Sequence, residues 1–497
     1  MRKRILLFFT LFFALGVGTG KISFAGESSA RSGKDKSGAV YVNLGDYARG
    51  DGTDETEAIQ KAFDQFNVKQ PDQKHAYEFR EQKGVLFIPT PPKFYGISRA
   101  ITITEKANLV IRCETPRAMG MHNTAYFRWL GGDEGEMFFF NFCWGFRVEN
   151  LSMSGNGKNV TGIQICDFGR PYALNPTPGA YNHPGAFKFS IFDHLTIDDV
   201  GIGVKLGMDG NGADLMSNSF RDVFIDGFSE YGFVCATGNG ADNTVSNLTL
   251  SPKEGAKEGV RITGGQLMIF NSGLGCGPVK TTGAAVAVYA GGVNVYGTWS
   301  EWLGPFLYGH PAGGYPSTAR TDSNARFSVT LSNIQHYPGG ETAFWRGPKG
   351  EEAKPESDNP APLSIVWDQP KPLTLINCSF WGGVKLGTVS SSIIIDIGTT
   401  FSNREGLRFT GEGIERYGRL IQIGTTHPEN IRVTEPYFVD RRNTPGTEPP
   451  KVGVWKRGDR ILNVEPDPAV PAKAWAGWIC IEPGEPGRWV PFGKLGE

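Results

Sequence analysis

Residues 189–199 read FSIFDHLTIDD, and the order of apolar and polar side chains in this stretch decides the fold. Apolar and polar residues alternate, as in a β-strand with one buried face, until His194 interrupts the pattern and an apolar–x–apolar triplet follows. The same pattern, an alternating strand with one polar residue before the triplet, recurs in five other stretches: 145–155 with Asn150, 219–227 with Asp222, 243–251 with Asn247, 326–337 with Asn333, and 372–382 with Asn377. Successive polar residues lie 28 and then 25 positions apart from His194 to Asn247, a spacing typical of solenoid coils.

The recurrence predicts an all-β fold, a single-stranded parallel β-helix spanning residues 40–440. Each coil supplies short strands that pair in parallel with the next coil, because no coil can bury its apolar face alone. The recurrent polar residue suits a bend where its side chain caps free backbone groups. A β-sandwich or a propeller is the competing architecture, but a propeller should show more regular repeats and hairpin turns.

Residues 43–66, NLGDYARGDGTDETEAIQKAFDQF, concentrate acidic side chains ahead of the first coil. The apolar residues that follow recur at helical spacing: Ala58, Ile59, Ala62, Phe63 and Phe66. Thr53 or Asp54 can cap the helix, and Asp54 and Glu57 have the capping-box spacing. We therefore predict a helix that closes the end of the solenoid; the alternative is a metal or catalytic site.

This segment resembles the start of the pectate-lyase-type right-handed parallel β-helix superfamily. The resemblance rests on VNLG (42–45), GDGTDETEAIQKA (50–62) and GVLFIP (84–89) and covers residues 40–100, beyond which only the coil rhythm continues. It implies a right-handed solenoid with a capping helix. It also implies that carbohydrate is the usual ligand, as in polygalacturonases, pectate lyases, glucanases and phage tailspikes, although a fold does not fix the chemistry.

The first 25 residues are predicted to be a secretory signal peptide. Arg2, Lys3 and Arg4 precede a short apolar run, and the small residues Ser23 and Ala25 occupy the −3 and −1 positions of a cleavage site after Ala25. Cleavage removes four cations and no acids, so the net charge changes from −1 to about −5. We expect an exported protein, secreted or periplasmic, without membrane attachment after cleavage; an uncleaved anchor is the alternative.

Composition excludes several classes of function. A net charge near zero means that the chain has no excess of basic residues, which nucleic-acid binding would require. The seven cysteines contain no CxxC pair or nearby histidine, which argues against zinc, and several lie in apolar strand patterns as buried small side chains. We predict neither a metal nor another cofactor for hydrolysis, and an oligomer is possible.

The C-terminal part changes character. Residues 441–450 are predicted to be a linker, and residues 451–497 form a small β element rich in Gly, Pro and Trp. Its four tryptophans are Trp455, Trp475, Trp478 and Trp489. We expect them to form an aromatic core, because so short a segment needs one; carbohydrate stacking is the alternative.

Secretion and 12% aromatic content favour polysaccharide as the substrate. Glycoside hydrolysis needs two carboxylates across the scissile bond, one with a raised pKa. Glu301 is the first candidate, since flanking Trp299 and Trp302 would desolvate its carboxyl group and offer platforms for a sugar ring.

Two acidic turns supply the other catalytic candidates. Asp198 and Asp199 form a tandem pair, and Asp226 and Glu230 occupy what looks like the same turn one coil later, so stacking would bring them within several Å. Acids are also common in turns for structural reasons. The predicted sugar contacts, besides the two tryptophans, are Tyr231, His194 and His336.

Two further classes stay open. A polysaccharide lyase would need a Lys, Arg, Tyr or His base at a uronate and often Ca²⁺, and Lys205, Arg221 and Arg261 lie in coil strands. A non-catalytic binding or structural β-helix would have more uniform repeats than these. From the residues alone, hydrolase ranks above lyase.

Overall fold

The structure is a computed structural model, and a defined part of the chain is described. The described residues are 33–34, 39–66, 84–116, 126–166, 186–208, 214–237, 239–275, 279–310, 328–337, 363–369, 371–380, 383–386, 393–397, 399–401, 419–423, 444–451, 455, 457–471 and 473–495. The predicted signal peptide lies outside these ranges. Within them, no helix has the length and apolarity needed to cross a bilayer.

In these ranges the chain forms forty strands, one α-helix and a 3-10 turn at Leu44–Asp46. The helix is α1 (Thr56–Asp64). The strands are β1 (Gly33–Lys34), β2 (Val40–Asn43), β3 (Asp51–Asp54), β4 (Gly84–Ile88), β5 (Phe94–Ile97), β6 (Ile101–Ala107), β7 (Leu109–Cys113), β8 (Phe127–Trp129), β9 (Glu134–Trp144), β10 (Arg147–Glu149), β11 (Ser152–Ser154), β12 (Asn159–Ile165), β13 (Ala186–Lys188), β14 (Ile191–Asp198), β15 (Ile202–Gly207), β16 (Asp214–Met216), β17 (Ser219–Phe228), β18 (Tyr231–Ala236), β19 (Asn239–Ala241), β20 (Asn243–Pro252), β21 (Glu258–Gly264), β22 (Gln266–Phe270), β23 (Gly273–Leu274), β24 (Val286–Val288), β25 (Gly292–Tyr296), β26 (Trp299–Ser300), β27 (Leu307–Gly309), β28 (Val329–Ser332), β29 (Gln335–His336), β30 (Leu363–Trp367), β31 (Leu373–Ile376), β32 (Ser379–Phe380), β33 (Gly383–Leu386), β34 (Ile393–Ile397), β35 (Thr400–Phe401), β36 (Arg419–Ile423), β37 (Thr444–Gly446), β38 (Arg460–Asn463), β39 (Trp475–Glu482) and β40 (Arg488–Lys494).

Two long sheets form a right-handed parallel β-helix, as predicted. Sheet 1 has 23 strands and sheet 2 has 13, and apart from the β1–β2 pair their strands pair in parallel from coil to coil. In sheet 1, Phe192 of β14 is in register with Phe220 of β17, and their rings stack 4.7 Å apart. Inward side chains of both sheets form one continuous core, so each coil buries its apolar face against its neighbours.

Sheet 1 is folded along its length at a column of bends. All six polar residues singled out in the sequence have left-handed backbone, with φ between 49° and 61°: Asn150, His194, Asp222, Asn247, Asn333 and Asn377. Asn, Asp and His tolerate this conformation better than other side chains do, which explains why these types recur. The predicted bend is therefore confirmed.

Helix α1 closes the N-terminal end of the solenoid, with Ile59, Ala62 and Phe63 fully buried. Its N-cap differs from the prediction. The N-cap residue is Glu55, whose carboxylate accepts hydrogen bonds from the backbone amides of Arg49 and Gly50 instead of from the helix. The predicted capping residues lie too far upstream, because Thr53 and Asp54 belong to β3.

Asp54 nevertheless stabilises the start of α1. Its Oδ1 accepts from the Thr56 amide at 3.1 Å, and its Oδ2 accepts from Ser98 Oγ at 2.6 Å. Burial raises the pKa of Asp54, but the hydrogen bonds from Ser98 and Thr56 outweigh burial and leave the pKa below its usual value. The acidic stretch is used in hydrogen bonds that join the cap to the first coils.

The C-terminal element is a four-stranded sheet, β37 to β40, with its own small core. Trp455 and Trp478 are buried there, and Trp455 meets Trp489 edge to face at 5.0 Å. The predicted aromatic core is therefore present. The predicted linker needs correction, because β37 lies inside residues 441–450 and pairs with β38.

Six of the seven cysteines are described, and all six are buried, as the apolar strand patterns predicted for several of them; none of the six forms a disulfide bond with another described cysteine: Cys113, Cys143, Cys166, Cys235, Cys378 and Cys480. Cys276 lies outside the described residues.

Candidate active site

The acidic turns predicted from sequence lie where a sheet 1 strand passes into a sheet 2 strand. Asp198 of β14 is in register with Asp226 of β17, so these two acids are neighbours on adjacent coils, as expected. Asp198, however, is only 1% exposed, so a polysaccharide cannot reach it and its predicted catalytic role is wrong. Asp199 is paired with Lys253 at 3.1 Å, and Glu230 with Lys257 at 3.2 Å.

Glu301 does not occupy the predicted environment. It is exposed, whereas Trp302 is 1% exposed, packs in the core and donates its indole N–H to the Gly283 carbonyl at 2.8 Å. Trp299 is 43% exposed. The expected pair of indoles around a desolvated carboxyl group is absent, because residues three positions apart on an extended chain face opposite sides: Trp299 is exposed and Trp302 packs in the core. The role of Trp302 in sugar binding is therefore wrong.

Glu301 is also far from the other predicted acids. The strand registers place it three coils beyond Asp226 in the same column. At about 4.8 Å per coil the two backbones are roughly 14 Å apart. Paired catalytic carboxylates lie about 5 to 9.5 Å apart, so the described positions do not assemble this pair.

The two predicted histidines occupy different environments. His336 has no exposed surface, its ring lies 5.7 Å from that of Phe306, and burial lowers its pKa to about 3. Its predicted contact with a sugar is therefore wrong. His194 is half exposed on sheet 1, where its ring lies between Asp193 and Asp222.

A different set of residues converges on the outer face of sheet 2. It consists of Tyr231 at the start of β18, Glu258 and Arg261 on β21, Tyr289 just after β24, and His310 just after β27. Tyr231 and Glu258 are in register on adjacent strands, and the amides of Tyr289 and His310 continue the parallel ladder. Four successive coils thus bring together residues up to 79 positions apart. We call this set the Glu258 cluster.

Hydrogen bonds join the polar groups of the Glu258 cluster. Tyr289 donates its hydroxyl to Glu258 Oε1 at 2.6 Å, and Arg261 Nη1 donates to Glu258 Oε2 at 3.0 Å. The same Nη1 lies 3.2 Å from the hydroxyl of Tyr231 and 3.4 Å from that of Tyr289. His310 Nε2 is 3.9 Å from Glu258 Oε1. The Glu258 carboxylate is therefore the group that Tyr289, Arg261 and His310 all approach.

Ring contacts fix the same groups in place. The Arg261 guanidinium lies 4.7 Å from the centre of the Tyr231 ring and 4.3 Å from that of Tyr289, both within cation–π range. The rings of Tyr289 and His310 stack at 3.8 Å. Lys257 adds a second cation, 5.4 Å from the centre of the Tyr231 ring. The cluster is preorganised, and each of its two cations is paired with a carboxylate, Arg261 with Glu258 and Lys257 with Glu230.

Burial changes the acid–base properties of the cluster. It raises the pKa of Glu258, although Arg261 and the Tyr289 hydroxyl oppose the change. It lowers the pKa of His310 to about 4, with Arg261 acting in the same direction, so this imidazole is neutral at pH 7. Burial also raises the pKa values of Tyr231 and Tyr289. Perturbed acids and bases gathered in one cluster are typical of an active site; here Glu258 is buried, and the residues around it are partly exposed.

Only part of the cluster is indicated by the sequence. Tyr231 was a predicted sugar contact and Arg261 was considered for a lyase, whereas Glu258, Tyr289 and His310 were missed. The signal that could have found them is the register of the sheet 2 strands, since Tyr231 aligns with Glu258 once Phe233 is aligned with Val260.

Ca²⁺, expected only for a lyase, does not fit the acidic turns. Asp198 is buried, Asp199 is paired with Lys253 and Glu230 is paired with Lys257, so these three acids do not form the open set of oxygen ligands that Ca²⁺ requires. Within the described ranges, one set of three side chains has ligand atoms within 4.8 Å of one another: Asp193, His194 and Asp222.

Three solved structures with a similar fold are an epimerase module, a glucanase and a phage tailspike. The A-module of the mannuronan C-5 epimerase AlgE4 from Azotobacter vinelandii is 13% identical, with a TM-score of 0.44 over 80% of this chain and 98% of the other. A GH87 α-1,3-glucanase from Streptomyces thermodiastaticus is 12% identical, with a TM-score of 0.36 over 80% and 68%. The gp42 tailspike of an Acinetobacter phage is 12% identical, with a TM-score of 0.38 over 92% and 82%. This similarity extends to the fold alone, and no family model or curated protein matches the sequence.

Proposed function

We propose that this chain is an exported, carbohydrate-active enzyme of the pectate-lyase-type β-helix class, and that the Glu258 cluster is its active site. The observation that carries the proposal is the convergence of a carboxylate, a guanidinium, two phenols and a neutral imidazole on the outer face of sheet 2. The proteins of similar fold are an epimerase, a glucanase and a tailspike by their descriptions, which agrees with a polysaccharide as the substrate.

The groups of the cluster favour β-elimination at a uronate over hydrolysis. Arg261 and Lys257 can neutralise the sugar carboxylate, which acidifies the proton on the adjacent C5. Neutral His310 takes that proton, the C–H electron pair forms the C4–C5 double bond, and the C4–O bond breaks. Tyr289 donates its proton to the departing oxygen, and the proton taken up by His310 returns to the Tyr289 oxygen through Glu258, which hydrogen-bonds Tyr289 and lies 3.9 Å from His310 Nε2.

The bound substrate would itself tune the base. Arg261 helps to keep the pKa of His310 low. Burial is the larger cause of the low pKa, and a sugar carboxylate on Arg261 would offset the smaller contribution of that positive charge and so raise the basicity of His310.

Hydrolysis is the second candidate, with a different acid pair from the one predicted. Glu258 has the raised pKa of a general acid. Glu230 lies on the adjacent coil, one position before Tyr231, which is in register with Glu258. In this mechanism Glu230 would act as base or nucleophile.

A digest of a panel of uronate and neutral polysaccharides tests the proposal. We expect products with unsaturated, ultraviolet-absorbing ends from a uronate polymer, and activity that persists in a chelator because the cluster supplies its own cations. New reducing ends without unsaturation would support the hydrolase. Absence of products from every polymer would support the third class, a non-catalytic binding protein.

Variants connect the activity to the cluster. Tyr289→Phe and His310→Gln should each lower kcat by at least a hundredfold while the fold is kept. Glu254→Gln, an exposed acid on the turn before β21, is the matched control and should retain full activity. If Glu301→Gln abolished turnover while Tyr289→Phe did not, the Glu258 cluster would be excluded as the active site.

A further inference from the structure

A second cluster lies on sheet 1, at the column of bends, and takes no part in the proposed reaction. Asp193 and His194 belong to β14, and Asp222 belongs to the next coil, β17. His194 Nδ1 is 3.2 Å from Asp193 Oδ1, and His194 Nε2 is 3.6 Å from Asp222 Oδ2. One ligand atom from each of the three residues lies within 4.8 Å of the other two.

The backbone alone does not account for these side chains. At the neighbouring bends the same left-handed conformation is adopted by Asn150, Asn247 and Asn271. Asparagine is therefore sufficient for the left-handed conformation of the bend. Two adjacent coils nevertheless carry His194 and Asp222 at this position, and both side chains are ionisable and can bind a metal ion. Asp193 adds a third such group beside them.

The separations suit a small divalent metal. One imidazole gives an ion only one of its two nitrogens, so the separation that matters is the 4.8 Å within which one ligand atom from each residue lies. Ligands at about 2.1 Å from a tetrahedral ion are roughly 3.4 Å from one another, and rotation of these partly exposed side chains would close the remaining gap. The three side chains are 23% to 51% exposed, which allows an ion to enter and water to complete its coordination. Imidazole with carboxylates favours a first-row transition metal or Zn²⁺ over Ca²⁺, which prefers oxygen ligands alone.

Neighbouring groups support the arrangement and define its charge. Asn247 Nδ2 donates to Asp222 Oδ1 at 2.7 Å, which orients this carboxylate and leaves its Oδ2 facing His194. Arg221, in register with Asp193, is the nearby cation, and its Nε lies 3.3 Å from Ser219 Oγ. Glu149, on the other side of Asp193, is paired with Arg112 and Arg147.

We propose that Asp193, His194 and Asp222 form a binding site for one first-row divalent metal ion of the Zn²⁺ type on the outside of sheet 1. The site is separate from the Glu258 cluster, which lies on sheet 2, and the proposal stands whichever reaction that cluster catalyses.

Calorimetric titration of the tag-free mature protein with Zn²⁺, and separately with Ca²⁺, tests the site. The key variant is His194→Asn, because asparagine is the residue found at the neighbouring bends and should preserve the fold. Asp222→Asn is the second variant. Asp242→Asn is the matched control, an exposed aspartate that also has left-handed backbone.

We expect the wild-type protein and the Asp242 control to bind one equivalent of Zn²⁺ with equal affinity and at least tenfold more tightly than Ca²⁺. His194→Asn and Asp222→Asn should each weaken Zn²⁺ binding at least tenfold without lowering Tm in a chelator. If His194→Asn fails to fold, Asp222→Asn decides the result. Absence of Zn²⁺ binding by the wild type, or unchanged affinity in the folded variants, would overturn the proposal.

Discussion

At the scale of single residues, His336 shows how the solenoid interior changes an ionisable side chain. The imidazole is fully buried beside Phe306, and burial lowers its pKa to about 3. In the unfolded chain a histidine has a pKa near 6.5. As the pH falls below this value the unfolded state takes up a proton that the folded state excludes, so the free energy of unfolding decreases.

We therefore predict that the protein loses stability as the pH is lowered from about 6.5 toward 4, and that His336→Phe reduces this loss. Phenylalanine has a similar ring and no proton to bind, and it would pack against Phe306. The measurement is Tm as a function of pH for both proteins. Equal slopes would mean that His336 is not responsible.

The bends and the tryptophans mark the limit of sequence reasoning at this scale. The bend residues were predictable because a left-handed φ is a local preference of Asn, Asp and His. The expectation for the tryptophans failed because residues three positions apart on an extended chain face opposite sides, so both indoles could not flank Glu301. Trp302 became part of the core and Trp299 did not.

At the scale of elements, the N-terminal cap depends on polar contacts with the coil below it. Asp54→Asn should lower the free energy of unfolding by about 1 kcal/mol, because an amide accepts the Thr56 and Ser98 hydrogen bonds less strongly than a carboxylate does. Turnover per folded molecule should not change. Chemical denaturation with a parallel activity assay measures both, and loss of turnover at unchanged stability would restore the catalytic interpretation of this stretch.

Gln369, just after β30, holds the ends of the neighbouring strands that carry the Glu258 cluster. It is buried, and its Nε2 donates to the carbonyls of Val288 and Tyr289, each at 3.2 Å, and to that of His310. These bonds fix the backbones on which the phenol and the imidazole stand.

We predict that Gln369→Met, which keeps the length of the side chain but cannot donate, lowers kcat at least tenfold with little change in KM. The reason is that Arg261, which would bind the sugar carboxylate, stands on β21 and is not held by Gln369. Steady-state kinetics on the polymer that the wild type cleaves provide the measurement. A change confined to KM would argue against this positioning role.

The candidate site could be predicted only in part because it is assembled across elements. Glu258, Tyr289 and His310 share no local motif, and their proximity depends on the lengths of two intervening turns. Arg261 and Tyr231 were noticed for their own chemistry, but nothing in the local pattern indicated that they contact each other. Register between coils, which sequence patterns specify weakly, is the missing information.

At the scale of the whole molecule, export remains a prediction that falls outside the described residues. We expect the mature protein to begin at Gly26, because cleavage should follow Ala25. Intact-mass spectrometry of the exported protein measures this directly. A mass that includes Met1 would instead indicate an uncleaved anchor.

Coil stacking also has a consequence for how such a protein can change over evolutionary time. Only 20 residues separate Val286 from Leu307, its register partner, whereas 57 separate Leu307 from Ile365, although each pair spans one coil step. The number of residues per coil can thus differ widely while the strands keep their register. A duplicated coil between Glu258 and Tyr289, by contrast, would move these groups apart by about 4.8 Å and break their hydrogen bond. Related proteins can therefore differ in the length and sequence of the connections between strands. To keep the Glu258 cluster, they must keep the number of coils between Glu258 and Tyr289.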